Sequence, residues 1–158
     1  MSDARSFPAS LMLNTLLLLL WGVWWGGLTL YAAIVVPIGT QSVGSIEQGF
    51  ITQRVTGWLN AIGMMTVLAM GLFSLQSYRN RRGLLVMATL EGILLIALIQ
   101  YRVKLTNQMD YASRDVAEGF YHQHAVYLWL TTAQWLLGLV IPIFILKSGI
   151  SVPLKSSR

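Results

Sequence analysis

Glu91, His122 and His124 are the residues of this sequence whose types and positions offer proton or metal chemistry. Glu91 is the single charge between Arg82 and Arg102 in an otherwise apolar run. Nine residues separate it from Arg82, about 13 Å of helical rise, which places it deep inside a hydrocarbon layer. A carboxylate at that depth costs about 2.5–3.5 kcal/mol on insertion scales and is expected to face a bundle interior or a wet cavity. Two roles follow: a proton or cation site in a conduit, or a hydrogen-bonded carboxyl that fixes helix packing. Gln134, at comparable depth on another apolar run, is the expected partner. Arg102 shares the helical face of Glu91 but lies too far along the axis to touch it.

His122 and His124 are the only histidines. Two positions apart on a helix they point to nearly opposite sides, so they share an ion only if the segment is extended. In that case His-x-His could hold copper or zinc, with Met109 and Asp110, or Met64 and Met65, as further ligands. His124 alone could be an axial ligand of haem b; an internal bis-histidine haem is excluded because no second intramembrane histidine exists, and a methionine partner stays open. The alternative is a hydrogen-bonding or interfacial role with no cofactor, and this is the preferred reading. Asn60, Thr131 and Gln134 read as interhelical hydrogen-bond partners. Trp21, Trp24 and Trp25 alternate with Gly22, Gly26 and Gly27, and Gly22 and Gly26 have the spacing that lets helix backbones approach closely.

The elements that must position these residues are defined by where charge is missing. No Asp, Glu, Lys or Arg occurs between Arg5 and Glu47, between Arg54 and Arg79, or between Glu118 and Lys147. Charged residues make up 11% of the 158, against about 25% in soluble domains. A bilayer core needs about 20 apolar residues in a helix. The expectation is an all-α polytopic membrane protein, an antiparallel bundle of four transmembrane helices, forming one membrane domain over residues 1–158 with spans at 11–37, 57–76, 84–102 and 121–146. Pro37 is expected to stop the first helix, and Pro142 to kink the last. Ser45 and Gln48 have the spacing of a capping box, so a helix is expected to begin there and continue into the second span, and residues 78–83 read as a tight basic turn. The first run far exceeds the apolar core of a signal peptide and reads as a retained helix.

Basic residues divide unevenly between the two sides. Arg5, Arg79, Arg81, Arg82, Lys147, Lys155 and Arg158 fall on one; Arg54, Arg102, Lys104 and Arg114 fall on the other with most of the acids. The richer side is expected to be cytoplasmic, with both termini inside, and the location a bacterial inner membrane. The absence of cysteine excludes disulfides and thiolate metal sites. Basic residues scattered over short connections argue against nucleic acid as a partner. No Ser/His/Asp set, phosphate loop or paired-carboxylate site occurs, so no complete catalytic constellation supports an enzyme.

Residues 18–37, LLLWGVWWGGLTLYAAIVVP, resemble the opening helix of the four-helix membrane domain named after transmembrane protein 205. Phe120 and His124 are similar to the Phe-gap-His start of that group's last helix, and copper-resistance D-type membrane proteins share a related look. The resemblance implies a four-helix fold more than a chemistry, and Glu91 and His122 depart from it. The function expected from the whole pattern is a small accessory or structural subunit packed on a larger membrane complex, with lipid and other membrane subunits, or a second copy, as partners. The alternatives are a haem- or copper-binding redox protein using His124 and His122, and a proton-coupled small-solute transporter centred on Glu91.

Overall fold

The computed structural model describes residues 9–75, 78–110, 112–113 and 115–149. Helix α1 (Ala9–Leu30) passes through one π-helical turn (Tyr31–Val35) into α2 (Val36–Val43), so the first apolar run is one continuous rod. Helices α3 (Ser45–Leu75) and α4 (Tyr78–Thr106) form the second and third rods. A two-stranded hairpin follows, β1 (Met109–Asp110) and β2 (Asp115–Val116), pairing Met109 with Val116 and Asp110 with Asp115. The fourth rod is α5 (Phe120–Gly138) and α6 (Ile141–Gly149). Each rod contains a stretch long and apolar enough to cross a membrane. They pack in sequence order around a ring, which the first and fourth rods close. One end of the bundle carries the Gly44 and 107–119 connections and is called the loop end; the opposite end is the terminal end.

Pro37 does not stop the first rod. In a regular α-helix its ring would strike the carbonyl four residues back, and it has no N–H to offer. The chain absorbs both problems by widening the preceding turn, where the Val36 N–H bonds to the Tyr31 carbonyl five residues back, as in other π-bulges. The rod ends instead at Gly44, whose φ of 98° suits glycine. The Ser45/Gln48 capping box does not form either. The Gln48 backbone N–H bonds to the Gly44 carbonyl at 3.1 Å, while its side-chain amide turns inward to Tyr31 and Thr52.

Residues 78–83 are helix rather than a turn. Arg81 folds back from the start of α4, donates from Nη1 to the Phe73 carbonyl at 2.9 Å and lies 3.5 Å from the centre of the Phe73 ring. It thereby satisfies one of the carbonyls left open at the end of α3. Of the basic residues that set the expected orientation, Arg5, Arg114, Lys155, Arg158 and the side chain of Arg79 lie outside the described residues. Pro142 acts as expected: the fourth rod breaks at Leu139 and Val140, just before it.

That break is completed by the first rod. Lacking an N–H, Pro142 leaves the Gly138 carbonyl without its intrahelical donor, and Trp21 Nε1 donates to that carbonyl at 3.2 Å. One turn on, Trp25 Nε1 donates to the Trp135 carbonyl at 3.0 Å and Trp135 Nε1 donates to Thr29 Oγ1 at 2.8 Å. The indoles of Trp21, Trp25 and Trp135 stack in series with centroids 5.4 Å apart. A Cβ at Gly138 would sit 2.3 Å from Trp25, and one at Gly63 2.5 Å from Trp24. The tryptophans of α1 thus need glycines on other helices, whereas Gly22 and Gly26 have nothing within 4 Å of a built Cβ.

Burial runs opposite to that of a water-soluble domain. Leu19, Val23, Leu68, Leu72, Ile93, Ile96, Leu136 and Ile143 are exposed, and Trp58 and Trp129 are each 76% exposed. Asn14, Gln48, Asn60, Thr66, Ser74, Glu91 and Gln134 are buried. A tight apolar core built on Leu17, Val67, Met70, Phe73, Leu84, Ala88, Leu95, Ile141 and Ile145 fills the terminal half. The loop half is more open.

Candidate functional site

A cavity of about 410 Å³ opens in the loop half, lined by residues of every rod and by Met109 of the hairpin. Its apolar wall includes Leu28, Ala32, Val36, Leu105, Phe120 and Leu128. Its polar wall begins with Tyr31, which the π-helical turn places in the interior. The Tyr31 hydroxyl donates to Thr52 Oγ1 at 3.0 Å, and Gln48 Nε2 lies 3.3 Å from both oxygens. Gln48 fits because Gly39 has no side chain; a Cβ there would overlap the Gln48 amide. Thr56 sits one turn deeper and donates to the Thr52 carbonyl at 2.8 Å.

Opposite this network stand Arg102, His124, Tyr127 and Thr131. Among the described residues that line the cavity, Arg102 is the one charged side chain. It crosses to α3, donating from Nη1 to the Gln53 carbonyl at 3.3 Å, and Gly57 leaves room for its guanidinium at 3.4 Å from a built Cβ. Its Nε is buried with no hydrogen-bond partner. His124 is half-buried and stacks face to face on Phe120, with centroids 5.7 Å apart and planes 10° from parallel. An apolar trough with one cation, an imidazole, two phenols and several hydroxyls suits a ligand with an apolar body and a polar head.

Glu91 lies below the cavity, fully buried at 0% exposure. It belongs to the inward seam of α4, with Leu84, Ala88, Leu95, Leu98 and Leu105 buried at its other positions. Gln134 lies beside it as expected, yet neither Glu91 oxygen nor Gln134 Nε2 closes a well-formed hydrogen bond. Asn60 is buried on α3, one turn below Thr56, and its Nδ2 has no partner.

The two histidines are not brought together. Helix α5 begins at Phe120, so the extended His-x-His arrangement does not occur; His124 faces the cavity and His122 is exposed. Met109 shares the cavity with His124. Met64 packs against the apolar core instead, and Met65 is exposed. Among the described residues no three His, Cys, Asp or Glu side chains converge. Asp110 closes the hairpin, accepting from the Ala112 N–H at 2.8 Å and the Ser113 hydroxyl at 2.7 Å, bonds that hold its carboxyl below the usual aspartate range.

Tyr31 and Tyr127 are site residues that sequence reasoning did not single out; Gln48 entered it only as a capping residue, and Arg102 as a basic residue on one side that shares the face of Glu91. The available signal was positional: Tyr31 precedes Pro37 by less than two turns, and Arg102 shares the face of Glu91. Compared with protein-family models, with curated proteins and with solved structures, the chain gives no match in any of the three.

Proposed function

We propose that this chain is a four-span helical membrane protein, with both termini on the cytoplasmic side, that binds an amphipathic small molecule carrying one anionic head in its loop-end cavity. The carrying observation is Arg102: among the described residues it is the charged group of a mostly apolar cavity, and no carboxylate lines that cavity with it. A half-buried guanidinium with no counter-charge among the described lining residues favours a carboxylate or phosphate, which it can grip through two nitrogens. The cavity volume of about 410 Å³ falls within the range of small-molecule sites. Tyr127 and His124 would supply further donors to the head, while Leu28, Val36 and Leu105 cover the tail. The four apolar rods and the inverted burial support membrane residence, and the basic bias of the terminal end supports the orientation.

Thermal unfolding in detergent tests this reading. Long-chain carboxylates and alkyl phosphates are expected to raise the transition temperature in a concentration-dependent way, a neutral amphiphile of equal chain length is not, and Arg102→Gln is expected to abolish the difference. Equal stabilisation by charged and neutral amphiphiles would count decisively against it.

The accessory-subunit reading keeps one supporting observation, the open face at Gly22 and Gly26, where a second helix could approach closely. It expects a co-purifying membrane chain that is lost in Gly22→Leu. Isolation of the native protein in mild detergent with no companion would remove it.

A further inference from the structure

Glu91, fully buried, is unlike the hydroxyls of the bundle. Thr56, Thr66, Ser74, Thr131 and Ser148 each satisfy their hydroxyls on a carbonyl three or four residues back. Glu91 has no such local partner, and both its oxygens are buried without a hydrogen bond. An ionised carboxylate in that position would carry a desolvation cost of several kcal/mol per ion, which the neutral, protonated form avoids.

Among the described residues no cation shares the level of Glu91 in the bundle. Residues 55–75 of α3, 125–146 of α5 and α6, and 11–43 of the first rod hold no Asp, Glu, Lys, Arg or His. The ionisable groups nearest in level are Arg102, Tyr127 and His124 toward the loop end and Arg81 and Arg82 toward the terminal end. Between Glu91 and the terminal end the seam is closed by Ala88, Leu84, Met70, Ile141 and Ile145.

Toward the loop end the interior is polar in steps. Gln134 is one turn from Thr131, and Asn60 one turn from Thr56; both threonines line the cavity, and one turn is about 5.4 Å. Gln134 Nε2 and Asn60 Nδ2 are buried donors without a protein partner. Buried amides in this condition are ordinarily completed by internal water.

We propose that Glu91 and Gln134 form a proton-binding site in the middle of the bundle, which exchanges its proton with the loop-end cavity through water held at Gln134 and Asn60. The step is a simple transfer: the carboxyl O–H breaks, water accepts the proton, and a cavity water restores it by the same route. The site does not depend on what the cavity binds.

Infrared difference spectroscopy of the full chain in lipid nanodiscs tests it. At neutral pH the wild type is expected to show the C=O stretch of a protonated carboxylic acid, which shifts down in D2O as the proton exchanges. The band is lost in Glu91→Gln. Gln134→Leu moves it by removing the neighbouring amide, and Thr131→Leu slows the isotope shift. Absence of the band in the wild type overturns the proposal, because the carboxyl is then ionised. A band that resists D2O for hours overturns it as well, because the carboxyl is then sealed. Should Glu91→Gln fail to fold, the Gln134→Leu shift assigns the band, and an unmoved band counts against the site.

Discussion

At the scale of single residues, glycine divides into two kinds here, and the division is measurable. Gly63 and Gly138 are seats for Trp24 and Trp25, and an added methyl would meet indole atoms at 2.5 and 2.3 Å. Gly63→Ala and Gly138→Ala are each expected to lose about 1–3 kcal/mol by overpacking, read from reversible unfolding in detergent. Gly22→Ala and Gly26→Ala meet nothing, and replacing a mid-helix glycine there is expected to gain about 0.5–1 kcal/mol. Asp110 gives a pH dependence of known sign. Its carboxyl is held below the ordinary value by Ser113 and Ala112, so its contribution to the hairpin is present above the unfolded aspartate value of about 3.9 and fades as pH falls through the lower folded value. Faster amide exchange at Ala112 in Asp110→Asn than in the wild type at neutral pH would show the same bonds. Of the candidate site, Glu91 beside Gln134 was legible, because a lone carboxyl in an apolar run must face inward. The cavity was not: Tyr31, Arg102 and Tyr127 meet only after four helices have been rotated about their axes, and charge spacing carries no rotation.

At the scale of elements, the two prolines solve one problem in two ways. Pro37 widens the turn before it and borrows nothing from another helix; Pro142 breaks its rod and takes a hydrogen bond from Trp21. A thermodynamic cycle separates these accounts. Trp21→Phe is expected to cost about 1 kcal/mol for the unsatisfied Gly138 carbonyl, and markedly less in a Pro142→Ala background, where the new N–H can serve that carbonyl. Equal costs in both backgrounds would show that the indole contributes packing alone. Pro37→Ala is expected to let the π-helical turn relax, which turns Tyr31 away from Thr52 and Gln48 and weakens ligand-induced stabilisation while total helicity is retained. The four long apolar helices themselves were legible from missing charge. The start of α3 was legible at Ser45, but the ends of α4 were not, since it carries Arg81, Arg82 and Lys104 as helical residues beyond the apolar window. Pro37 read as a terminator because the rule for proline assumes four-residue hydrogen bonding, and the rod leaves that pattern for one turn.

At the scale of the whole molecule, apolar side chains face out from every rod and amides and a carboxyl face in, an arrangement that suits a solvent that is itself apolar. The proposed orientation can be read directly because the chain has no native cysteine. Ser113→Cys, in the hairpin, is expected to react with a membrane-impermeant maleimide added to intact cells. Protection there, with reaction only after lysis, would reverse the topology. The ring closes between the first rod and the last, and Trp21 and Trp25 supply N–H donors to the backbone at the break before Pro142. This has a consequence for biogenesis. During synthesis the opening helix is made long before the segment whose broken turn it completes. The bundle's final backbone hydrogen bonds therefore cannot form until the start and the finish of the chain lie side by side. Until the last rod is made the ring lacks one side, and the indole donors of the first helix have no backbone partner there.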